Sequence, residues 1–151
     1  MPFYQWSEAM SVGVPVLDSD HRALIDLINA LYDGLEFGDE PAKLDAVFER
    51  LVIYVDYHFA REERVMDACG YPGAETHREE HEKFAQDIHY IRDRHIRGHE
   101  TDVGQDLLNF LKDWLNSHIL IQDMHYKKYA AGNQQAMEAA ERFGPGLGDP
   151  D

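Results

Sequence analysis

Residues 77 to 81 read HREEH, two histidines four apart with glutamates between them. The string fits H-x-x-E-H, in which a zinc peptidase holds its metal on two imidazoles and activates water with the glutamate beside the second. Five residues match by chance too readily to decide for peptidase chemistry. Further groups carry the same metal-binding residue types: His58 with Glu62 in HFAREE, His118 with Asp123 in WLNSHILIQD, and His21 alone in DSDHRALIDLINALY. Imidazole and carboxylate both suit divalent transition metals. His58 and Glu62, like His77 and His81, are i,i+4 pairs whose side chains leave one face of a helix. Asp123 is the awkward member, because five residues turn an ideal helix by about 140° from His118. A π-bulge, frequent at functional sites, is expected there to turn it back.

Four amphipathic segments must position these residues. After VPVLDSD, the apolar positions Leu24, Ile25, Ile28, Leu31, Tyr32 and Leu35 give a helix over about 19–37, and His21 extends its buried stripe. Asp39 or Glu40 can cap a second helix with Pro41 in its first turn; it runs to about residue 66, with His58 and Glu62 interrupting an apolar face. A third, over about 74–97, carries His77, His81, Phe84, Ile88, Ile91 and His95 on one face, and IRGHETD closes it. A fourth, over about 101–131, carries Leu107, Leu111, Trp114, Leu115, His118, Ile121 and His125 near one stripe and stops at Gly132. Short connections and no strand-like alternation point to an all-α, antiparallel up-down-up-down four-helix bundle. Phe3, Tyr4 and Trp6 are expected to form an N-terminal arm packed across it. The domain is expected over residues 1–132, with 133–151, including GPGLGDP, as a partly disordered C-terminal tail.

Composition narrows the partners. A net charge of −15 repels phosphate backbones and anionic lipid surfaces, so no nucleic-acid partner is expected. The longest apolar run, LVIYV, is too short to insert in a membrane. The single cysteine, Cys69, and a start without a signal-peptide pattern suggest a reducing cytoplasm. A monomer is the simplest expectation for so charged a chain.

Any one of the nine histidines is more often a core or surface residue than a ligand. Their convergence argues otherwise. In an antiparallel bundle His21, His58, Glu62, His77, His81 and His118 fall at one level, where unpaired polar groups would be strongly destabilising. A metal centre pairs them. For two six-coordinate ions, five histidines, two bridging carboxylates and one bridging oxygen leave a single position open, which suits a small diatomic ligand.

Taken together, the stretches around His21, HFAREE, HREEH and WLNSHILIQD resemble the hemerythrin family, specifically its single-domain bacterial members, over nearly the whole chain. The resemblance implies two irons, ferrous or ferric, with a bridging oxo or hydroxo group. It places His77, His81 and His118 on one iron, His21 and His58 on the other, and Glu62 and Asp123 across both. Dioxygen would take the open position on the two-histidine iron. Trp114 and Leu115 match the family's oxygen-pocket positions, and Ile119 and Phe59 are weaker pocket candidates. The implied function is reversible dioxygen binding, for storage, transport or delivery to an oxygen-consuming enzyme, without catalysis by this chain.

Three alternatives compete. An oxygen-activating di-iron enzyme generally uses paired E-x-x-H motifs, and the sequence contains none. An oxygen, redox or nitric-oxide sensor or scavenger remains the main alternative, though a sensor would be expected to carry a signalling domain. A peptidase needs Glu80 in the site, yet on a regular helix Glu80 lies about 100° from His81. Glu79 and Glu80 are therefore expected to be solvated or capping charges, as His89, His95 and His99 are expected to be solvated or helix-end residues. His125 fits either packing or support of the ligands.

Overall fold

The computed structural model describes residues 4–37, 40–98, 102–142 and 147, and five helical rods account for most of them. Helix α1 spans Pro15–Phe37. It starts four residues before the sequence pattern suggests, because Pro15 suits a first helical turn and Asp18 anchors the entry. The Asp18 carboxylate accepts from the Val12 N–H at 2.9 Å and the Ser11 hydroxyl at 2.6 Å. Rod α2 runs through Glu40–Ile53, a π-helical Tyr54–His58 and Phe59–Ala68. Helix α3 spans Ala74–Arg97. Rod α4 joins Val103–Trp114, a π-helical Leu115–Gln122 and Asp123–Ala130.

These four rods pack in a ring, α1 on α2, α2 on α3, α3 on α4 and α4 on α1. The bundle read from the sequence is the observed architecture. A fifth helix, α5, spans Gln134–Glu141 within the stretch expected to be a tail; Gly132, at φ +73°, turns the chain into it. The Asn133 side chain caps α5 by accepting from the Ala136 N–H at 3.0 Å, and Ala136, Ala139 and Ala140 bury its inner face against the second half of α2. No helix among the described residues is long and apolar enough to cross a membrane.

The core divides into two apolar clusters. The larger holds Leu24, Ile28, Leu31, Leu51, Phe84, Ile88, Leu107 and Leu111, among others. The smaller holds Val12, Val14, Leu17, Val65, Met66, Tyr126, Ala130, Ala136 and Ala140. On α1 the change from one to the other falls between Leu17 and Leu24, at His21; on α2 it falls at Glu62; on α4 it falls at Asp123. The candidate site is a polar layer between two apolar ones.

At the N-terminus, Tyr4 and Trp6 are half-buried against the larger cluster, while Phe3 lies outside the described residues. The Tyr4 N–H donates to Asn29 Oδ1 at 2.7 Å, and Asn29 returns a bond to the Tyr4 carbonyl at 2.8 Å. The caps expected from Asp39, Glu40 and Pro41, and the position of His99, also fall outside what is described at side-chain level.

Candidate metal centre

Seven side chains meet in the polar layer, all buried: His21 from α1, His58 and Glu62 from α2, His77 and His81 from α3, His118 and Asp123 from α4. They fall into two groups whose candidate ligand atoms lie within 4.8 Å of one another. Glu62, His77, His81 and His118 form one, and His21, His58, Glu62 and Asp123 form the other.

The two carboxylates span the groups with separate oxygens. Glu62 Oε1 lies 2.7 Å from His77 Nε2 and 3.0 Å from His81 Nε2, while Oε2 lies 3.1 Å from His58 Nε2 and 3.5 Å from His21 Nε2. Asp123 Oδ1 lies 2.9 Å from His77 and 3.0 Å from His118, while Oδ2 lies 3.1 Å from His21. Both carboxylates therefore face two histidine sets at once.

The π-helical stretch of α4 is what brings Asp123 in. Its backbone N–H bonds to the His118 carbonyl, a five-residue step that closes the excess angle an α-helix would leave. The same turn points Ile121 outward, 54% exposed, although its spacing suggested the inner stripe. A second π-turn, Tyr54–His58, ends on the first of the α2 ligands. No unusual ligand spacing signals that one, because His58 and Glu62 both lie in or beyond it at a regular interval.

The residues fit a metal. Among the described residues, His21 Nδ1 and Nε2, His118 Nε2 and both oxygens of Asp123 are buried without a hydrogen-bond partner. Their close approaches lack hydrogen-bonding alignment, as lone pairs aimed at a common point would. Such groups left to themselves cost about 1–3 kcal/mol each. A divalent cation accepts electron pairs from all of them.

Among protein groups alone, protons would have to do that work. Burial opposes a charge on His21, but Asp123 and Glu62 outweigh it and push its pKa up to about 10. The same balance lifts His77 to about 10 and His118 to about 9. Burial would raise Glu62, yet His58, His118 and His21 hold it well below the usual carboxylate range. Asp123 is also held low: burial and Glu62 push up, and His118 and His21 win.

A surrounding shell of partners fixes the rings. His58 Nδ1 lies 2.8 Å from Asp20 Oδ2, His81 Nδ1 lies 2.9 Å from Glu63 Oε2, and His118 Nδ1 lies 2.7 Å from Glu80 Oε2. With the carboxylates ionised, each Nδ1 carries the proton and each Nε2 keeps its lone pair for the centre. Glu80, expected to be a solvated or capping charge, is instead half-exposed and bonded to a candidate ligand histidine. It points away from His81 as helix geometry requires, but that direction leads to His118 on the neighbouring rod. Glu79 is exposed as expected.

Tyr126, whose hydroxyl pKa burial and Glu62 drive up, donates to Glu62 Oε2 at 3.0 Å. Aromatic rings close the layer: Trp114 stacks on His118 at 3.8 Å, Phe59 on His81 at 3.9 Å and Tyr54 on His58 at 4.7 Å. Leu115 and Ile119 are buried in the larger apolar cluster. His89 and His125 are exposed, and half-buried His95 pairs with Asp45 at 2.8 Å.

The domain family described as "Hemerythrin HHE cation binding domain" matches residues 12–130. The chain belongs to the hemerythrin family. It is similar to the bacteriohemerythrin of Pseudomonas paraeruginosa, 36% identical over 121 residues that cover 80% of this chain and 77% of that protein. It is also similar to the bacteriohemerythrin of Methylococcus capsulatus, 30% identical over 127 residues covering 83% and 95%. A crystal structure of a hemerythrin with a leucine-to-tyrosine substitution aligns with a TM-score of 0.77 and 28% identity, covering 87% of this chain and all of the other. Within this hemerythrin, residue type and spacing disclose the seven converging side chains. Asp20, Arg61, Glu63 and Tyr126 were not anticipated, since their partners lie on other rods. Arg61, three residues after His58 on a buried face, was the one available signal.

Proposed function

We propose that this hemerythrin binds dioxygen reversibly at two iron ions linked by an oxo or hydroxo group. His77, His81 and His118 would hold one ion, His21 and His58 the other, and Glu62 and Asp123 would hold both. The observation that carries the reading is the division of each carboxylate's oxygens between the two histidine sets. With three histidines on one side and two on the other, an ion held by His21 and His58 would have one protein donor fewer, which would leave room for an exogenous diatomic.

The irons, when bound, supply the electrons that dioxygen takes up on binding and returns on release. The chain's own groups control everything around that exchange. Tyr126 holds Glu62 in its two-sided orientation by donating to Oε2. Asp20, Glu63 and Glu80 keep protons on Nδ1 of His58, His81 and His118. Phe59, Trp114, Leu115 and Ile119 serve as the oxygen pocket; three of them are buried, and Trp114 is half-buried against His118. Excluding water from such a layer prevents proton leakage to bound oxygen. The chain would thereby store or transport dioxygen, or deliver it to an oxygen-consuming enzyme.

Anaerobic reconstitution with ferrous iron tests the proposal. Visible bands are expected to appear on exposure to oxygen and bleach on purging with argon, through repeated cycles. A colour that never bleaches would contradict it.

A further inference from the structure

Asp20 and Arg61 lie outside the seven candidate ligands, yet they are 0% and 1% exposed. Burying an ion pair costs desolvation that attraction offsets only when the geometry is good and the remaining polar atoms are satisfied. Here the carboxylate is saturated. Arg61 Nη1 donates to Oδ1 at 2.6 Å and Oδ2 at 2.7 Å, the Leu147 backbone N–H donates to Oδ1 at 2.8 Å, and His58 Nδ1 lies 2.8 Å from Oδ2.

A carboxylate neutralised by a guanidinium stays ionised and can only accept, so the proton between Asp20 and His58 sits on Nδ1. The opposite end of the ring, Nε2, faces Glu62 Oε2 at 3.1 Å and is the atom left to hold a metal ion when one is bound. His21, the other imidazole of that half, has no hydrogen-bond partner on either ring nitrogen among the described residues. The two-histidine half thus has one braced ring and one unbraced ring. Arg61 also cancels the charge that a third buried carboxylate would add near Glu62 and Asp123.

We infer that Asp20, charge-balanced by Arg61, is a positioning residue that locks the tautomer and orientation of His58, and that metal retention in the His21/His58 half depends on this clamp. The inference rests on the two-ion reading above. The clamp draws on chain beyond the matched family domain, which ends at residue 130. Leu147 bonds Asp20, and α5 packs on the stretch of α2 that carries Arg61.

The full chain loaded with zinc(II) tests the clamp. The double substitution Asp20→Asn with Arg61→Met removes both charges together, so no buried charge is left unpaired. Wild type is expected to take two zinc ions. In the folded double variant, checked by circular dichroism, one ion should be held on the order of 10–100-fold more weakly against a competing chelator, the usual effect of losing an outer partner. With ¹⁵N-labelled histidine, the His58 Nδ1 proton should exchange faster with water while those of His81 and His118 stay unchanged. A merely structural role for the pair would not single out one ring. Asp20→Asn alone, in which Arg61 still holds the side chain beside Nδ1, should give the same pattern more weakly; it carries the test if the double variant does not fold. Wild-type affinity for both ions together with an unchanged His58 proton would overturn the clamp. Fewer than two zinc ions on wild type would overturn the two-ion reading itself, and the clamp with it.

Discussion

Five imidazoles and two carboxylates share one buried layer, and each one's role follows from which of its atoms faces the common space. Nε2 atoms face inward, and three Nδ1 atoms are held by Asp20, Glu63 and Glu80. The ionisation of the layer sets a pH dependence for the chelator-treated protein. His21 and His77 are raised from 6.5 to about 10, so their contribution to stability is full below about 6.5 and is lost as pH rises through about 10. Glu62 and Asp123 are lowered from 4.5 and 3.8, so theirs is full above those values and is lost on acidification. The thermal midpoint of the stripped protein is therefore expected to be highest between about pH 4.5 and 6.5 and to fall toward pH 10. Metal displaces the same protons, so the gain in midpoint on adding metal should grow from pH 5.5 to pH 8. A gain that shrinks over that range would contradict the arrangement. The ligands themselves were legible because pairs four apart on a helix must share a face. Glu80 was misread because its partner, His118, belongs to another rod, and sequence spacing reports directions along one rod only.

At the scale of the element, the π-turn of α4 was legible from one irregular spacing, five residues between His118 and Asp123. The turn at Tyr54–His58 was not, because His58, on which it ends, and Glu62 keep a regular interval. Helix α5 escaped notice for another reason: it buries alanines, and small residues leave no apolar stripe large enough to read. Removing exposed Ile121 shortens the step from His118 to the aspartate to four residues, converting the π-turn to an α-turn with the flanking faces preserved. The deletion variant is expected to keep its helicity and to bind two metal ions, read by circular dichroism and metal analysis. Inserting an alanine at the same place should instead rotate Asp123 about 100° out of the layer and lower the metal content. Equal metal content in both variants would remove the turn from the explanation.

Across the whole molecule, two apolar clusters hold the polar layer between them, and the smaller one is closed by both ends of the bundle. Val12 and Val14, just before α1, are fully buried beside Tyr126 and Ala130 from α4. Gly13 allows that closure. It sits at φ +81°, and a Cβ there would stand 2.5 Å from the Ala131 Cβ. Gly13→Ala should lower stability by roughly 1–3 kcal/mol through left-handed strain and the clash, seen as a lower denaturant midpoint with unchanged slope. An unshifted midpoint would mean that the closure is looser than described. The layer the clusters enclose is where dioxygen would be held, and counting gas tests whether it is. Dioxygen taken up by the ferrous protein, measured alongside its iron, is expected to reach one molecule per two irons and one such pair per chain, and to be recovered on lowering the oxygen pressure. Uptake that oxidises the iron without returning the gas, or a single iron per chain at saturation, would contradict it.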